Sequence, residues 1–591
     1  FMKYMPITIV VTMLGALVMA MLFVPALGAR MRRDKSQVAS TTLSDAAYEV
    51  HEDIDDPRPT DLFTRYYIRG VERVLLKPKR FCAMLCAGMV ATFVLFGTIG
   101  PGVEFFPDIE PDNASLQVRA RGNLSVGEMD ALVRQVEARI SPSDEVKTFY
   151  TRAGKLGERD LPEDTIGMIQ MEFVDWQKRR KADEILNEMK AKVADIPGIV
   201  VETAKQEQGP PSGKGVQLEL RSRDLSLLAP AVEKILAFMK ETGGYTNVED
   251  DRPIPEIEWE FSVDREKAGR NNVSVMAVGQ MIKLITNGIK VNEYRPDDAD
   301  DEVDIIVRFP QEFRNLGQLS RLRVFTDSGQ EPIENFVTRT AHQSVGTIRR
   351  VDGLRVMNIK ADVMEGVLAD AKVQELTAWL AAGNLPAGVE PTFRGEDEDQ
   401  RESQAFLSTA FIVALFGMAL LMVMQFNSIY YMFVIMSAVI FSTGGVFLGH
   451  LLTYQPFGIV MSGVGVIALA GVVVQNNIIF LDTYQLLRLR GMEIRLALIE
   501  TGARRLRPIF LTAGTTVWGL IPMMCAMTLD FVKRDISFGA PSAQWWVQLA
   551  TAVAGGLTFA TILTLFFTPC LILLWETRRG RWLQRGMASF R

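Results

Sequence analysis

Long uncharged apolar runs alternate with one large polar region along this chain. Seven runs of about 20 residues or more are long enough to cross a bilayer as helices: roughly 7–29, 82–102, 406–425, 429–453, 458–482, 509–529 and 547–575. Between the second and third lies a polar insert of about 300 residues, in which the hydrophobic period switches repeatedly between two and 3.6. Ser115–Arg121 alternates like a strand. Val126, Met129, Leu132, Val133, Val136 and Ile140 follow at helical spacing. Strands are then expected at Glu145–Thr151 and Gly167–Val174, a helix at 178–194 and a strand at 198–204, the split βαβ order of a ferredoxin-like unit.

A second unit of this kind begins after the breaker Gly209-Pro210-Pro211. A strand is expected at Val216–Arg221 and a helix at Ser226–Glu241. The pattern is then interrupted over 256–350, where a short helix is expected at Val273–Ile285. It resumes with a strand at Gly353–Ala361, a helix at Met364–Ala382 and a strand at Gly388–Arg394. The predicted class is an α-helical polytopic membrane protein with a large α+β insert.

Basic residues orient the spans. They cluster at Arg30, Arg32, Arg33 and Lys35, at Arg73, Lys77, Lys79 and Arg80, at Arg488, Arg490, Arg495, Arg504, Arg505 and Arg507, and at Arg578, Arg579, Arg581, Arg585 and Arg591. Seven spans put all of them on one side, the cytoplasmic one, and the insert outside, in the periplasm of a Gram-negative cell. The first run also admits a signal-peptide reading, but it is long and lacks a small-residue cleavage site before its basic cluster. Glu49–Asp61 reads as an acidic, Pro-containing linker. Residues 61–77 read either as an amphipathic helix at the membrane surface or as a plain linker helix.

Composition adds exclusions. The mean hydropathy of +0.12 is that of a membrane protein with a large water-exposed part. A net charge of −6 over 591 residues argues against a nucleic-acid partner. The four cysteines lie in or at the edge of apolar runs, so the insert has no disulfide framework. Cys82 and Cys86 read as lipid-facing rather than metal-binding. His342 stands without a Ser, Cys or second His at useful spacing, His450 near the outer end of its span reads as interfacial, and Asp297–Glu302 reads as a solvated loop. No catalytic set, metal site or cofactor is expected. No GxxxxGK[ST] loop occurs, which leaves an ion gradient or a partner as the energy source.

Short motifs then carry a resemblance. Val24-Pro25-Ala26-Leu27 ends the first span and Thr568-Pro569-Cys570-Leu571 sits correspondingly in the last, so that LFVPAL (22–27) and LFFTPCL (565–571) echo one another. Glu104-Phe105-Phe106-Pro107 follows the second span, Gln425-Phe426-Asn427-Ser428 joins the third and fourth, and Arg504-Arg505-Leu506-Arg507-Pro508-Ile509 precedes Thr512. In order and spacing these resemble the resistance–nodulation–division (RND) efflux permeases, in the branch exporting hydrophobic and amphiphilic compounds, over essentially the whole chain.

The resemblance implies the C-terminal half of a twelve-span pseudo-duplicated fold, entered in its helix 6. The implied parts are a last span of the first half (1–29), a cytoplasmic linker (30–81), a transmembrane helix (82–102), two porter subdomains (103–205; 206–255 with 346–405), a docking subdomain (256–345) whose hairpin begins at Lys290–Tyr294, a five-helix bundle (406–577) and a cytoplasmic tail (578–591). It also implies proton-driven efflux rather than enzymatic turnover, an inner-membrane location, and a homotrimer working with a periplasmic adaptor and an outer-membrane channel on small-molecule substrates amid membrane lipids. A metal-ion exporter of the same fold is the alternative, for which paired Met or acidic residues in the outer cleft and charges in the fifth span would be expected. A non-transporting sensor or fragment is the third.

Polar residues inside spans are the candidate site. Gln475, Asn476 and Asn477 are consecutive amides in the fifth span, Asp482 lies seven residues past Gln475, and Thr512 and Thr516 lie in the next span. They read either as glue between helices or, by the resemblance, as part of a hydrated proton path together with Arg505. Well-known members place a Lys where Gln475 stands, so an ion-pair form of the mechanism is not expected, and the titrating acids would lie elsewhere. A substrate pocket is implied at Phe149, Tyr150, Arg152 and Lys155. Met168 and Met171, three apart on a strand, fall on opposite faces, a poor thioether metal site.

Overall fold

The computed structural model describes residues 4–31, 62–120, 122, 124–154, 161–162, 164–206, 213–252, 257–297, 301–326, 329–343, 348–364, 366–530 and 534–588. The Glu49–Asp61 linker, the Gly209-Pro210-Pro211 breaker, Lys155 and the middle of the Asp297–Glu302 loop lie outside the described residues. In chain order the main helices are α1 (Tyr4–Val18), α2 (Val24–Met31), α3 (Leu62–Leu76), α4 (Pro78–Ile99), α5 (Val126–Ile140), α6 (Ala182–Val193), α7 (Leu228–Thr242), α8 (Val275–Ile285), α9 (Ala369–Ala381), α10 (Glu396–Phe426), α11 (Ile429–Thr453), α12 (Ile459–Leu489), α13 (Ile494–Met524), α14 (Pro541–Ile562) and α15 (Thr568–Ala588).

The chain divides into two compact units. The first holds residues 1–76 and 483–507. Within it, α1 and α2 are joined by a π-helical turn at Met19–Phe23, just ahead of Val24-Pro25. The helix α3 buries Thr64, Tyr67, Val71 and Leu75, one stripe at helical spacing. Gly502 is where the Tyr67 hydroxyl lies, so close that any Cβ there would overlap it.

The second unit holds residues 77–482 and 508–591. Its outer part begins at β1 (Val103–Glu104) and continues with β2 (Asn113–Ala120), β3 (Val146–Ala153), β4 (Thr165–Phe173) and β5 (Ile199–Lys205), which form an antiparallel sheet in the order β3-β4-β2-β5. That is the ferredoxin-like order, with α5 and α6 on one face. Ser125 caps α5 by accepting from the Glu128 amide while the Glu128 carboxylate accepts from the Ser125 amide. Leu116, Val118, Ile169 and Met171 of the sheet close a core with Val133, Val136 and Ile140 of α5 and Ile185 and Met189 of α6.

A second sheet repeats this order. Its strands β6 (Val216–Ser222), β7 (Tyr245–Asp250), β15 (Leu354–Val363) and β16 (Glu390–Arg394) run β16-β6-β15-β7, extended by β14 (Arg349–Val351) on β15. The helices α7 and α9 cover it around a separate core that includes Leu218, Leu220, Ile235, Ile359 and Leu376. Three hairpin-like pairs enter between β7 and β14: β8 (Ile257–Val263) with β13 (Val337–Gln343), β9 (Ile289–Tyr294) with β10 (Val303–Val307), and β11 (Arg323–Thr326) with β12 (Gly329–Pro332). A third core around Val278, Ile285, Val324 and Phe336 holds them to α8.

Among the described residues, six helical stretches are long and apolar enough to cross a membrane: Val10–Gly28, Pro78–Ile99, Glu396–Phe426, Ile429–Thr453, Ile459–Leu489 and Pro541–Arg578. The remaining expected span, 509–529, the sixth of the seven runs, is a helix only as far as Met524. It then turns through Ala526, at φ 49°, into a hairpin of β18 (Met527–Asp530) and β19 (Asp535–Phe538). Pro508, Pro522, four threonines and the charged residues Arg495, Glu500, Arg504, Arg505 and Arg507 keep α13 from being apolar along its length. The tightest pairing is α11 against α14. A Cβ on Gly555 would lie 2.8 Å from the Gly445 carbonyl oxygen and 2.9 Å from Gly449 Cα, so only backbone fits. A second π-helical turn, Leu563–Phe567, joins α14 to α15 just ahead of Thr568-Pro569.

Candidate functional site

Consecutive residues on a helix point about 100° apart, so Gln475, Asn476 and Asn477 take three directions. Asn477 is fully buried. Its Nδ2 donates to the Val473 carbonyl at 2.9 Å and its Oδ1 accepts from Thr568 Oγ1 at 2.8 Å. Asn476 is buried too, while Gln475 is exposed. Gly471, Gln475 and Asp482 lie on one exposed stripe of α12, the spacing of seven between the latter two being nearly two turns. On α13, Thr512 and Thr516 also face outward. Their hydroxyls donate to carbonyls of their own helix, Ile509 at 3.0 Å and Thr512 at 2.9 Å. Uncovered amide and carboxylate groups in hydrocarbon cost several kcal/mol, so this stripe is a surface for water or protein rather than lipid. In the first unit, Arg505 Nε donates to Thr483 Oγ1 at 2.6 Å.

The structure therefore separates two roles that the consecutive amides left open. Asn477 joins helices, with Thr568 as its partner across 91 positions. Gln475 and Asp482 share an outward stripe.

At the outer end of the bundle the structure adds residues that sequence reasoning passed over. The strand β1 pairs in parallel with β17 (Phe457–Gly458), placing Glu104 beside Gly458. Gln548 of α14 donates from Nε2 to the Glu104 carboxylate. Burial pushes the Glu104 carboxyl up to about 7. The Gln548 hydrogen bond opposes this, and the neighbouring acids Asp108 and Glu396 reinforce it. Only the position of Glu104, just past a span, could have drawn attention to it. His450, read from sequence as interfacial, lies in the last turn of α11 and is fully buried within the protein, bonded to Ser462 Oγ at 3.1 Å and edge-on to Phe457.

In the first sheet, Phe149 packs toward the core, while Tyr150 is exposed on the other face. Arg152 shares that face and donates to Met168 Sδ at 3.7 Å, as does Gln170. The pocket proposed from sequence is thus split across the sheet, with Tyr150 and Arg152 together and Phe149 apart. Met171 belongs to the core and Met168 to the opposite face. Among the described residues no group of three or more His, Cys, Asp or Glu is placed to hold a metal ion.

Apolar spans bearing a large α+β outer part define a multi-pass protein of the bacterial inner membrane with a periplasmic domain. The chain belongs to the AcrB/AcrD/AcrF family, whose model matches residues 1–576. That family consists of secondary transporters, not enzymes. Among curated relatives, the nickel and cobalt resistance protein CnrA of Cupriavidus metallidurans is 25% identical over 598 residues, covering 98% of this chain and 52% of that protein. The cobalt-zinc-cadmium resistance protein CzcA of the same organism is 24% identical over 591 residues, covering 96% and 52%. A crystal structure of a heavy metal efflux pump superposes with a TM-score of 0.74 at 22% identity, covering 87% of this chain and 52% of that one, and so shares the fold. The chain spans about half the length of these relatives.

These findings overturn the expectation of the hydrophobe and amphiphile branch, since the relatives are named for metal resistance. The physical reason is plain. Glu104–Pro107 follows a helix, Gln425–Ser428 forms the turn between α10 and α11, and Arg504–Ile509 lies within α13, so these motifs mark the fold rather than the cargo.

Proposed function

We propose that this chain is part of a heavy-metal cation exporter of the inner membrane, driven by protons moving down their gradient. The observation that carries the reading is the set of relatives named for nickel, cobalt, zinc and cadmium resistance, which match 96–98% of the chain. The exposed stripe of Gln475 and Asp482, with Thr512 and Thr516, lines a hydrated proton path whose further acids come from elsewhere in the complete transporter. The β9–β10 hairpin exposes Val291, Tyr294, Val303, Ile305, Ile306 and Val307, and serves as the docking element of a homotrimer that works with a periplasmic adaptor and an outer-membrane channel.

The test is expression of the full-length protein in a metal-sensitive host, with cell-associated nickel, cobalt, zinc and cadmium measured by mass spectrometry. At least one metal should fall relative to a vector control. Unchanged metal contents together with lowered accumulation of a lipophilic dye would overturn the reading.

A further inference from the structure

The two ferredoxin-like units have separate apolar cores. What joins them is polar. The strands β5 and β7 are each paired on one side only, and the two edges meet through charged groups. Arg119 on β2 and Glu202 on β5 come from the first unit, Lys214 before β6 and Glu249 on β7 from the second. Arg119 Nη1 lies 2.6 Å from Glu202 Oε1 and 4.0 Å from Glu249 Oε1. Lys214 Nζ lies 3.2 Å from Glu202 Oε2 and 2.6 Å from Glu249 Oε1. Arg119 also grips Asp164 with two hydrogen bonds of 2.7 and 3.0 Å.

Glu202 and Glu249 are only 7% and 8% exposed, and their carboxyl groups meet across the boundary on the same Lys214 ammonium. Two carboxyl groups brought together in this way bond to each other only when one of them carries a proton, because two carboxylates offer acceptors alone.

The surroundings are built around this pair. Lys190 of α6 donates to Asn247 Oδ1 at 3.1 Å. Asn247 Nδ2 donates to the Thr203 carbonyl of the first unit at 3.3 Å and to Asp362 Oδ2 of the second at 3.0 Å. Asn247 holds a left-handed φ of 49°, and β15 carries a register shift between Lys360 and Asp362 on the adjoining strand. A left-handed residue and a bulge side by side are local costs that surrounding contacts must offset. Lys360, cross-strand from Glu249, is the other charged neighbour.

Within ion-pair distance of one another the seam holds two cations, Arg119 and Lys214, and three carboxyl groups, Asp164, Glu202 and Glu249, so one shared proton balances this cluster. Burial accordingly pushes the Glu249 carboxyl up to about 7, against the pull of Lys214. Burial also works against the charge on Glu202, yet the neighbouring Glu249 carboxyl, together with Lys214 and Arg119, holds it below the usual carboxylate range.

We infer that Glu202 and Glu249 form a one-proton latch between the two periplasmic units, which holds them together when the proton is shared and releases them when it leaves. This goes beyond the transport reading and does not depend on which cargo is carried. The sign follows from linkage. The closed seam binds the proton with an affinity set near pH 7, whereas a Glu249 freed into water returns to about 4.5. The ratio of closed to open therefore falls as pH rises between those values, by at most about tenfold per unit and by roughly fiftyfold from about pH 5 to about pH 7.5.

Hydrogen–deuterium exchange on the intact protein in lipid nanodiscs tests this at those two pH values, after correction for the intrinsic pH dependence of exchange. Peptides covering 199–205 and 245–250 should lose protection at the higher pH, while 166–173 in the centre of the first sheet should not change. In Glu249→Gln the amide keeps a donor toward Glu202 without titrating, so both edge peptides should stay protected at both pH values. Equal protection of the wild-type edges at the two pH values would overturn the latch, as would a Glu249→Gln protein that keeps the wild-type response. The wild-type comparison decides on its own if the variant does not assemble.

Discussion

Thr568 donates its hydroxyl to Oδ1 of Asn477 at 2.8 Å, and neither side chain has any exposed surface. The bond joins α12 to the first residue of α15. The amide nitrogen of Asn477 is spent on its own helix, at the Val473 carbonyl. Its Oδ1 reaches across, and Thr568 is the group that meets it.

Thr568→Val keeps the shape and removes the donor, which leaves Asn477 Oδ1 unpaired. The expected loss is about 1 kcal/mol, the range measured for hydrogen bonds between membrane helices. It should appear as a lowered unfolding midpoint of the detergent-solubilised protein. The double variant Asn477→Leu/Thr568→Val should recover part of that loss. A midpoint for Thr568→Val equal to wild type would remove the structural role assigned to the pair.

The glycine contact between α11 and α14 is backbone against backbone, with nothing able to yield. Gly555→Val should cost more than the roughly 1–3 kcal/mol usual for overpacking a core, because no side chain can move aside. The expected outcome is loss of properly folded protein on size-exclusion chromatography. Gly471→Val on the open side of α12, where no atom lies within 4 Å of the added carbon, should be tolerated by the same assay.

Glu104 gives a stability effect with a definite sign. Its enclosed carboxyl holds its proton up to about 7 against an ordinary value of 4.5. Ionising it in place is unfavourable, so its contribution is intact at low pH and is lost as pH rises from about 4.5 through about 7. Glu104→Gln should remove that decline. Melting curves of the two proteins should separate as pH rises, with the variant the more stable at pH 8. Parallel curves across the range would show that the carboxyl does not titrate in place.

Gln475 and Thr512 face outward and support no internal contact between helices, so Gln475→Leu and Thr512→Ala should leave the melting temperature of the complete transporter within about 1 °C. If they line the proton path, transport should fall by roughly tenfold or more in at least one of them. Full transport by both variants would count against the path.

Some of this was legible in the chain. The Ser125–Glu128 capping box and the alternation in Ser115–Arg121 announce α5 and β2 locally, because their causes lie within a few residues of each other. The strand β7 was not read. Asn247 breaks its alternation by adopting a left-handed backbone, for reasons that reside in Lys190, Thr203 and Asp362. The role of Asn477 was likewise open, since its partner lies 91 residues away. The sixth apolar run looked like a span of full length, yet the helix stops at Met524. The proposed metal cargo has no local mark either: among the described residues no group of three or more His, Cys, Asp or Glu could hold a metal ion, and an uncharged Gln475 argued the other way.

The two π-helical turns have a further meaning. Each inserts one residue into its helix just before a residue–proline pair: Met19–Phe23 before Val24-Pro25, and Leu563–Phe567 before Thr568-Pro569. One inserted residue advances everything beyond it by about 100° of angular phase. Thr568 therefore points at Asn477 because of the count of residues ahead of it, not because of its chemistry. Deleting Phe566 should restore an unbroken helix and swing the hydroxyl away, with a loss of stability matching that of Thr568→Val even though both bonding residues remain.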